Sequence, residues 1–184
     1  MQYEELGRAR FQTGQDEAGA WLRVPARRNW VVVLFLTVWL CGWVAGGVSA
    51  IHDLSRHFEP FLVFWLCGWT VGLLFVGGTI LWQMSGHELL RVVGGDLEYR
   101  VQLPGYARRR RFRGSEIRNV GATGIPNTPF GKGSNPFPPL FNPNQGSARF
   151  DYGARSIYVA PGLDEAEGAL IADWLRQRLP GARG

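Results

Sequence analysis

Histidine, lysine and cysteine are scarce in this chain: its 184 residues hold three His, one Lys and two Cys. Each scarcity removes a class of chemistry. The histidines stand at His52, His57 and His87, so no Ser/His/acid set and no quartet of metal ligands can be assembled from local spacing. The cysteines, Cys41 and Cys67, both lie inside apolar runs. They form no CxxC pair and no extracellular disulfide framework. A phosphate-cradling glycine motif is also missing: the Gly-rich stretch at 121–134 lacks the strand-loop-helix context of a nucleotide site. The sequence therefore reads as that of a non-enzyme, with no metal and no cofactor.

Charge is missing from two long stretches. Residues 30–51, "WVVVLFLTVWLCGWVAGGVSAI", and residues 61–84, "FLVFWLCGWTVGLLFVGGTILWQM", hold no Asp, Glu, Lys or Arg. An uncharged apolar run of about 18 or more residues reads as a transmembrane helix. At ~1.5 Å per residue, each run exceeds the roughly 30 Å hydrocarbon core. A cleaved signal peptide needs a short basic leader and a short apolar core. Here 29 residues precede the first run, which is itself too long, so a retained helix is expected.

Arginine placement sets the expected orientation. Arg23, Arg27 and Arg28 precede the first run and Arg91 follows the second, whereas the link "HDLSRHFEP" carries Arg56 against Asp53 and Glu59. Positive flanks stay in the cytoplasm. Both termini are thus expected in the cytoplasm of a bacterium, with a multi-pass protein in the inner (plasma) membrane. Trp30 and Trp82 fall where an aromatic belt would lie.

The expected organisation is a cytoplasmic segment at 1–29, a first transmembrane helix at 30–51 and an outer turn at 52–60. A second helix at 61–84 and a cytoplasmic domain at 85–184 follow. Residues 85–184 carry a net charge of +5, which is the net charge of the whole chain. In that domain "HELLRVVGGDLEYRVQL" has two apolar-rich runs around "GGD", a hairpin signature. Leu97, Tyr99 and Val101 alternate with Glu98, Arg100 and Gln102, as a half-buried strand requires. "ARRRRFRG" and "SEIRNVGA" give two further short strands, and "ARFDYGARSIYVA" a second hairpin turning at Tyr152-Gly153-Ala154. The N-terminal "WLRVP" is a weaker strand candidate.

A helix is expected at 164–179. Asp164 with Glu167 forms a capping box. Leu170, Ile171, Trp174 and Leu175 share one face, Arg176 and Arg178 suit the last turn, and Pro180-Gly181 stop it. The fold class is an α+β membrane protein: a two-helix hairpin, then a small antiparallel barrel or sandwich capped by a C-terminal helix.

"VPARRNWVVVLFLTVWLCGW" and "RFDYGARSIYVAPGLDEAEGALIADWLRQRLP" resemble uncharacterised bacterial membrane proteins with two transmembrane helices and a pleckstrin-homology-like (PH-like) domain. That resemblance implies a bent antiparallel barrel plugged by the C-terminal helix. It carries no catalytic residues, and no ligand is transferred from it, because fold does not imply function.

Four features are candidates for function. The first is "WLCGW", present at 39–43 and again at 65–69; aligning residues 35–46 with 61–72 matches eight of twelve positions. Each copy carries a GxxxG, Gly42 with Gly46 and Gly68 with Gly72, which suits close helix packing within the hairpin or against another membrane protein or a second copy. Cys41 and Cys67 are read as part of that packing, since buried Cys behaves as a small hydrophobe. The rival is a membrane redox or cofactor protein using Cys41, Cys67 and His52. The second feature is His52 and His57 beside Asp53 and Glu59; their spacing is not a recognised ligand pattern, and interfacial polar residues are the plain reading.

The third feature is "RRRRFR". Arg108 and Arg110 would face opposite to Arg109 and Arg111 on a strand, with Arg113 beyond. One set would lie over solvent and the other would pair with acids or snorkel at the barrel rim. The functional reading is contact with anionic lipid or an acidic partner. Nucleic acid is not expected, because aromatics are not interleaved with the charges. The fourth feature is the loop at 121–147, rich in Pro and Gly, with Phe130, Phe137, Leu140 and Phe141 as candidate docking residues. Together these readings favour a scaffold, adaptor or accessory subunit of a membrane complex, with the lipid-binding module as the alternative.

Overall fold

The structure is a computed structural model and describes residues 9–124, 127–128, 131–132, 138–139 and 144–183. The fold is α+β: two long apolar helices, antiparallel sheets and a C-terminal helix. The chain opens with β1 (Gln12–Asp16) and β2 (Gly19–Pro25), then runs through α1 (Trp30–Arg56) and α2 (Pro60–Ser85). β3 (His87–Val93), β4 (Asp96–Leu103), β5 (Tyr106–Phe112) and β6 (Ile117–Ala122) follow. Two two-residue strands, β7 (Asn127–Thr128) and β8 (Gly131–Lys132), pair with each other. β9 (Ala148–Tyr152), β10 (Arg155–Val159) and α3 (Glu165–Arg178) complete the order.

The first sheet has the order β1-β2-β3-β4-β5, and the second the order β10-β9-β6. β2 pairs with β3 from Ala20↔Val92 to Pro25↔His87, although both helices lie between them in sequence. The apolar hairpin is therefore an insertion between two neighbouring strands. Its two feet must emerge together, and residues 12–25 and 87–103 must share one side of it.

The feet are tied by polar contacts. Asn29 caps α1, its side chain accepting from the Val32 amide at 3.2 Å. The Asn29 amide donates to Gln83 Oε1 at 3.1 Å, and the Ala26 amide to the Gly86 carbonyl at 2.9 Å. Trp82, only 3% exposed, reaches from the last turn of α2 into the domain core. Gln83, the strongly polar residue of the second apolar run, thus serves the junction rather than the interior of the span.

Both helices are long and apolar enough to cross a membrane, and most of their surface is uncovered by the rest of the chain. α1 continues past the apolar run to Arg56, because nothing breaks it until the His57 amide closes on the Asp53 carbonyl. Pro60 then begins α2 at a position where its missing N–H costs nothing.

The β3–β4 hairpin turns at Gly94 and Gly95, with φ of 57° and 83°. A two-residue turn of this hand needs positive φ at both positions, which glycine supplies without strain. The core lies between the two sheets and under α3, built from Leu22, Leu90, Leu97, Ile117, Phe150, Val159, Ile171 and Leu175. Phe112 of β5 meets Phe150 and Tyr152 of β9 edge-on, at centroid distances of 5.3 and 5.2 Å. The capping box at Asp164 and Glu167 is present, and Arg10 binds both carboxylates, lacing the N-terminal arm to α3.

The sheets are not closed into a barrel, so that part of the expectation is corrected. β5 and β10 end the two sheets as unpaired edges among the described residues. Arg108 and Arg110 sit on the β5 face shared with Tyr99 and Val101, and a strand closing over them would bury guanidinium groups without partners.

Candidate functional site

The repeated "WLCGW" forms a seam between α1 and α2. Trp43 Nε1 donates to the Trp69 carbonyl at 3.3 Å, and Trp69 Nε1 donates to the Trp43 carbonyl at 3.1 Å. The two indoles stack with centroids 4.2 Å apart, and Trp39 and Trp65 extend the row at the same spacing on either side. This reciprocal arrangement follows from the sequence repeat running in opposite directions along the two helices.

The glycines divide by role. A Cβ on Gly72 would stand 2.9 Å from the Trp43 ring, and one on Gly46 would stand 3.3 Å from the Trp69 ring. These second glycines of each GxxxG are seats for the opposing indole. Gly42 and Gly68 have nothing within 4 Å of such a Cβ and face outward. Cys41 and Cys67 are free and exposed on the outside of the hairpin. Among the described residues, no three His, Cys, Asp or Glu side chains converge, and His52 and His57 stand at the far end of the hairpin without such a group.

The arginine strand splits by parity. Arg109 donates to Glu98, which also accepts from Arg100 at 3.1 Å, and Arg111 donates to Asp96 at 3.0 Å. Burial pushes the Glu98 carboxyl up, but Arg109 and Arg100 outweigh it and hold the pKa below the usual value. The Gly114 amide and Arg111 lower Asp96 in the same way. Arg113 makes a long, exposed contact with Glu116 at 3.5 Å.

Arg108 and Arg110 face the other way, opposite Val101 and Tyr99. They line a cleft of about 390 Å³ between the open edges of β5 and β10. Arg155, Ile157 and Tyr158 line its other side, and Tyr106 stands at one end. Among the described residues no carboxylate pairs with Arg108, Arg110 or Arg155. Arg155 and Tyr158 were not legible as site residues, because their approach to β5 is a tertiary event with no local signature.

Behind the cleft lies a buried acid. Glu88, 1% exposed, accepts from the Tyr99 hydroxyl at 2.9 Å and from the Ala160 amide at 2.8 Å. Ser147 Oγ donates to the Ala160 carbonyl at 2.9 Å, so one peptide unit pair joins both sheets. Burial raises the Glu88 pKa to about 7, against the lowering by the Ala160 amide and Tyr99. Glu88 is not among the residues that the sequence pattern singles out; the signal that could have marked it is a charge in phase with Leu90 on the inward face of β3.

The loop residues Phe130, Phe137, Leu140 and Phe141 lie outside the described residues. No family model matches the chain, no curated protein matches it, and no solved structure matches its fold.

Proposed function

We propose that the protein is a non-catalytic, membrane-anchored scaffold of the bacterial inner membrane, with both termini cytoplasmic and a PH-like domain held against the bilayer. The observation that carries this reading is the insertion of the apolar hairpin between the paired strands β2 and β3. A domain on a flexible linker samples many orientations. Here the spanning helices continue directly into adjacent strands, and Trp82 is buried in the domain core. The domain is thereby oriented relative to the membrane, which is what a docking platform needs. The C-terminal helix packed on β6 and β9, beside a second antiparallel sheet, supports the PH-like reading.

The outward glycines supply the other half. Gly42 and Gly68 are open on the lipid-facing surface, where small residues let a second helix approach closely. They offer contact to a partner membrane protein or to a second copy of this chain. The experiment is purification in mild detergent with mass measurement of the intact assembly. The wild type is expected as a defined complex, with itself or with one stoichiometric partner. Gly42→Leu with Gly68→Leu, or deletion of residues 126–143, is expected to release it. A monomer with no partner in every preparation would refute the scaffold reading.

A further inference from the structure

We propose that the cleft between β5 and β10 is a binding site for a phosphate group. The charge pattern is the starting point. On the outer face of the first sheet, Arg91, Arg100, Arg109 and Arg111 are each matched by a carboxylate. On the cleft side, Arg108 and Arg110 of β5 share the cleft with Arg155 of β10; no acid lines it, and among the described residues none is in ion-pair contact with them, Glu88 lying buried behind Tyr99. Like charges gathered from two sheets repel one another and destabilise the fold, unless an anion joins them. On β3, β4 and β5 the outer-face arginines are neutralised and the cleft-side pair is not, which leaves the cleft group available for an external anion.

The anion is identified by geometry. Guanidinium groups present planar forks that bind phosphate oxygens in pairs. Tyr106 and Tyr158 add hydroxyl donors at the rim, and their rings with the Tyr99 ring give walls against which the organic part of a phosphate ester can lie. Phosphate on a lipid headgroup and phosphate on a soluble ester share this chemistry.

Position makes both sources accessible. Tyr106 follows the turn at Pro104-Gly105, and that turn shares a second hollow with Ser85 and His87, at the end of α2. His87 opposes Gln102 in the β3–β4 ladder. Arg108 lies two residues along β5 from Tyr106, about 7 Å at the usual strand rise. The cleft therefore begins close to the level at which the hairpin leaves the domain. The inference does not depend on partner docking and stands or falls separately from the scaffold reading.

The test uses the full-length protein. Glycerol 3-phosphate and inorganic phosphate are titrated calorimetrically in uncharged detergent. Retained lipid is counted by native mass spectrometry after reconstitution in phosphatidylglycerol or phosphatidylcholine nanodiscs. Binding of glycerol 3-phosphate or inorganic phosphate marks a soluble ligand. Retention of phosphatidylglycerol alone marks a headgroup. Either is expected to weaken about tenfold or more in Arg108→Gln with Arg110→Gln and in Arg155→Gln. The control, Arg111→Gln with Arg113→Gln, removes the same charge from the same stretch and is expected to stay within about threefold of wild type. All these side chains are solvent-exposed, and circular dichroism verifies folding. Wild-type protein that binds neither source overturns the proposal, as does an equal loss in the control.

Discussion

The Tyr99 hydroxyl donates to Glu88 at 2.9 Å, across the β3–β4 pair, while the Ala160 amide holds the other carboxyl oxygen at 2.8 Å. One buried acid thus fastens the first sheet to the chain leaving the second. Because its pKa rises from 4.5 to about 7 on folding, the native state holds its proton where the unfolded chain has lost it. The stabilisation is fully present below pH 4.5 and is lost as pH rises through 7. The expected loss is about 3 kcal/mol. Denaturant titrations between pH 5 and 8 should show it, and Glu88→Gln should flatten the profile in that window. Asp96, Glu98 and Asp151 act oppositely, but their lowered pKa values place their effect at more acid pH.

Tyr99→Phe removes a hydrogen bond that lowers the Glu88 pKa. The midpoint of the same pH dependence should move upward, and stability at pH 5 should fall by about 1 to 2 kcal/mol. An unchanged midpoint would show that the hydroxyl does not act on Glu88.

Arg109 and Arg108 are neighbours with unequal expected effects. Arg109→Gln leaves Glu98, whose side chain is 5% exposed, with Arg100 alone, and should cost about 1 to 3 kcal/mol in urea unfolding. Arg108→Gln removes a cation with no acid partner among the described residues and should change stability by less than about 0.5 kcal/mol.

The tryptophan seam separates the two glycines of each repeat. Gly72→Leu drives a side chain into the Trp43 ring and should destabilise the hairpin by about 1 to 3 kcal/mol. Gly68→Leu meets nothing within the chain and should leave the unfolding of the dissociated monomer in detergent unchanged. Tryptophan fluorescence during thermal unfolding distinguishes the two.

Local signals in the sequence located most elements. The uncharged runs became α1 and α2, with α1 starting at Trp30 as the pattern indicates. "GGD" and "DYGA" became the β3–β4 and β9–β10 turns, and the capping box fixed the start of α3. Alternation along "RRRRFR" separates Arg108 and Arg110 from Arg109 and Arg111 but does not say which set meets acids; the pairing of Arg109 with Glu98 and Arg111 with Asp96 comes from the fold.

Contacts between distant residues were not legible. "WLRVP" was a weak strand candidate because its partner, β3, lies beyond both apolar helices. Pairing at that separation leaves no periodic trace near either strand. The same holds for Arg155, which lines one cleft with Arg108. The closed barrel failed as an expectation because strand count does not reveal which edges join. Among the described residues β5 has no strand beyond it, and Arg108 and Arg110 on its inner face are the residues that a closing strand would have to cover.

The central claim is that the hairpin crosses the membrane twice and that β2 and β3 close into one sheet beneath it. Its most direct measurement is site-directed labelling with a membrane-impermeant maleimide, in a Cys41→Ser, Cys67→Ser background. Glu17→Cys in the β1–β2 turn, Ala154→Cys in the β9–β10 turn and His57→Cys between the helices are compared in sealed vesicles of each orientation. The account predicts that positions 17 and 154 react from the cytoplasmic face and position 57 from the opposite face. Reaction of all three from the same face, or of 17 and 154 from opposite faces, would contradict it.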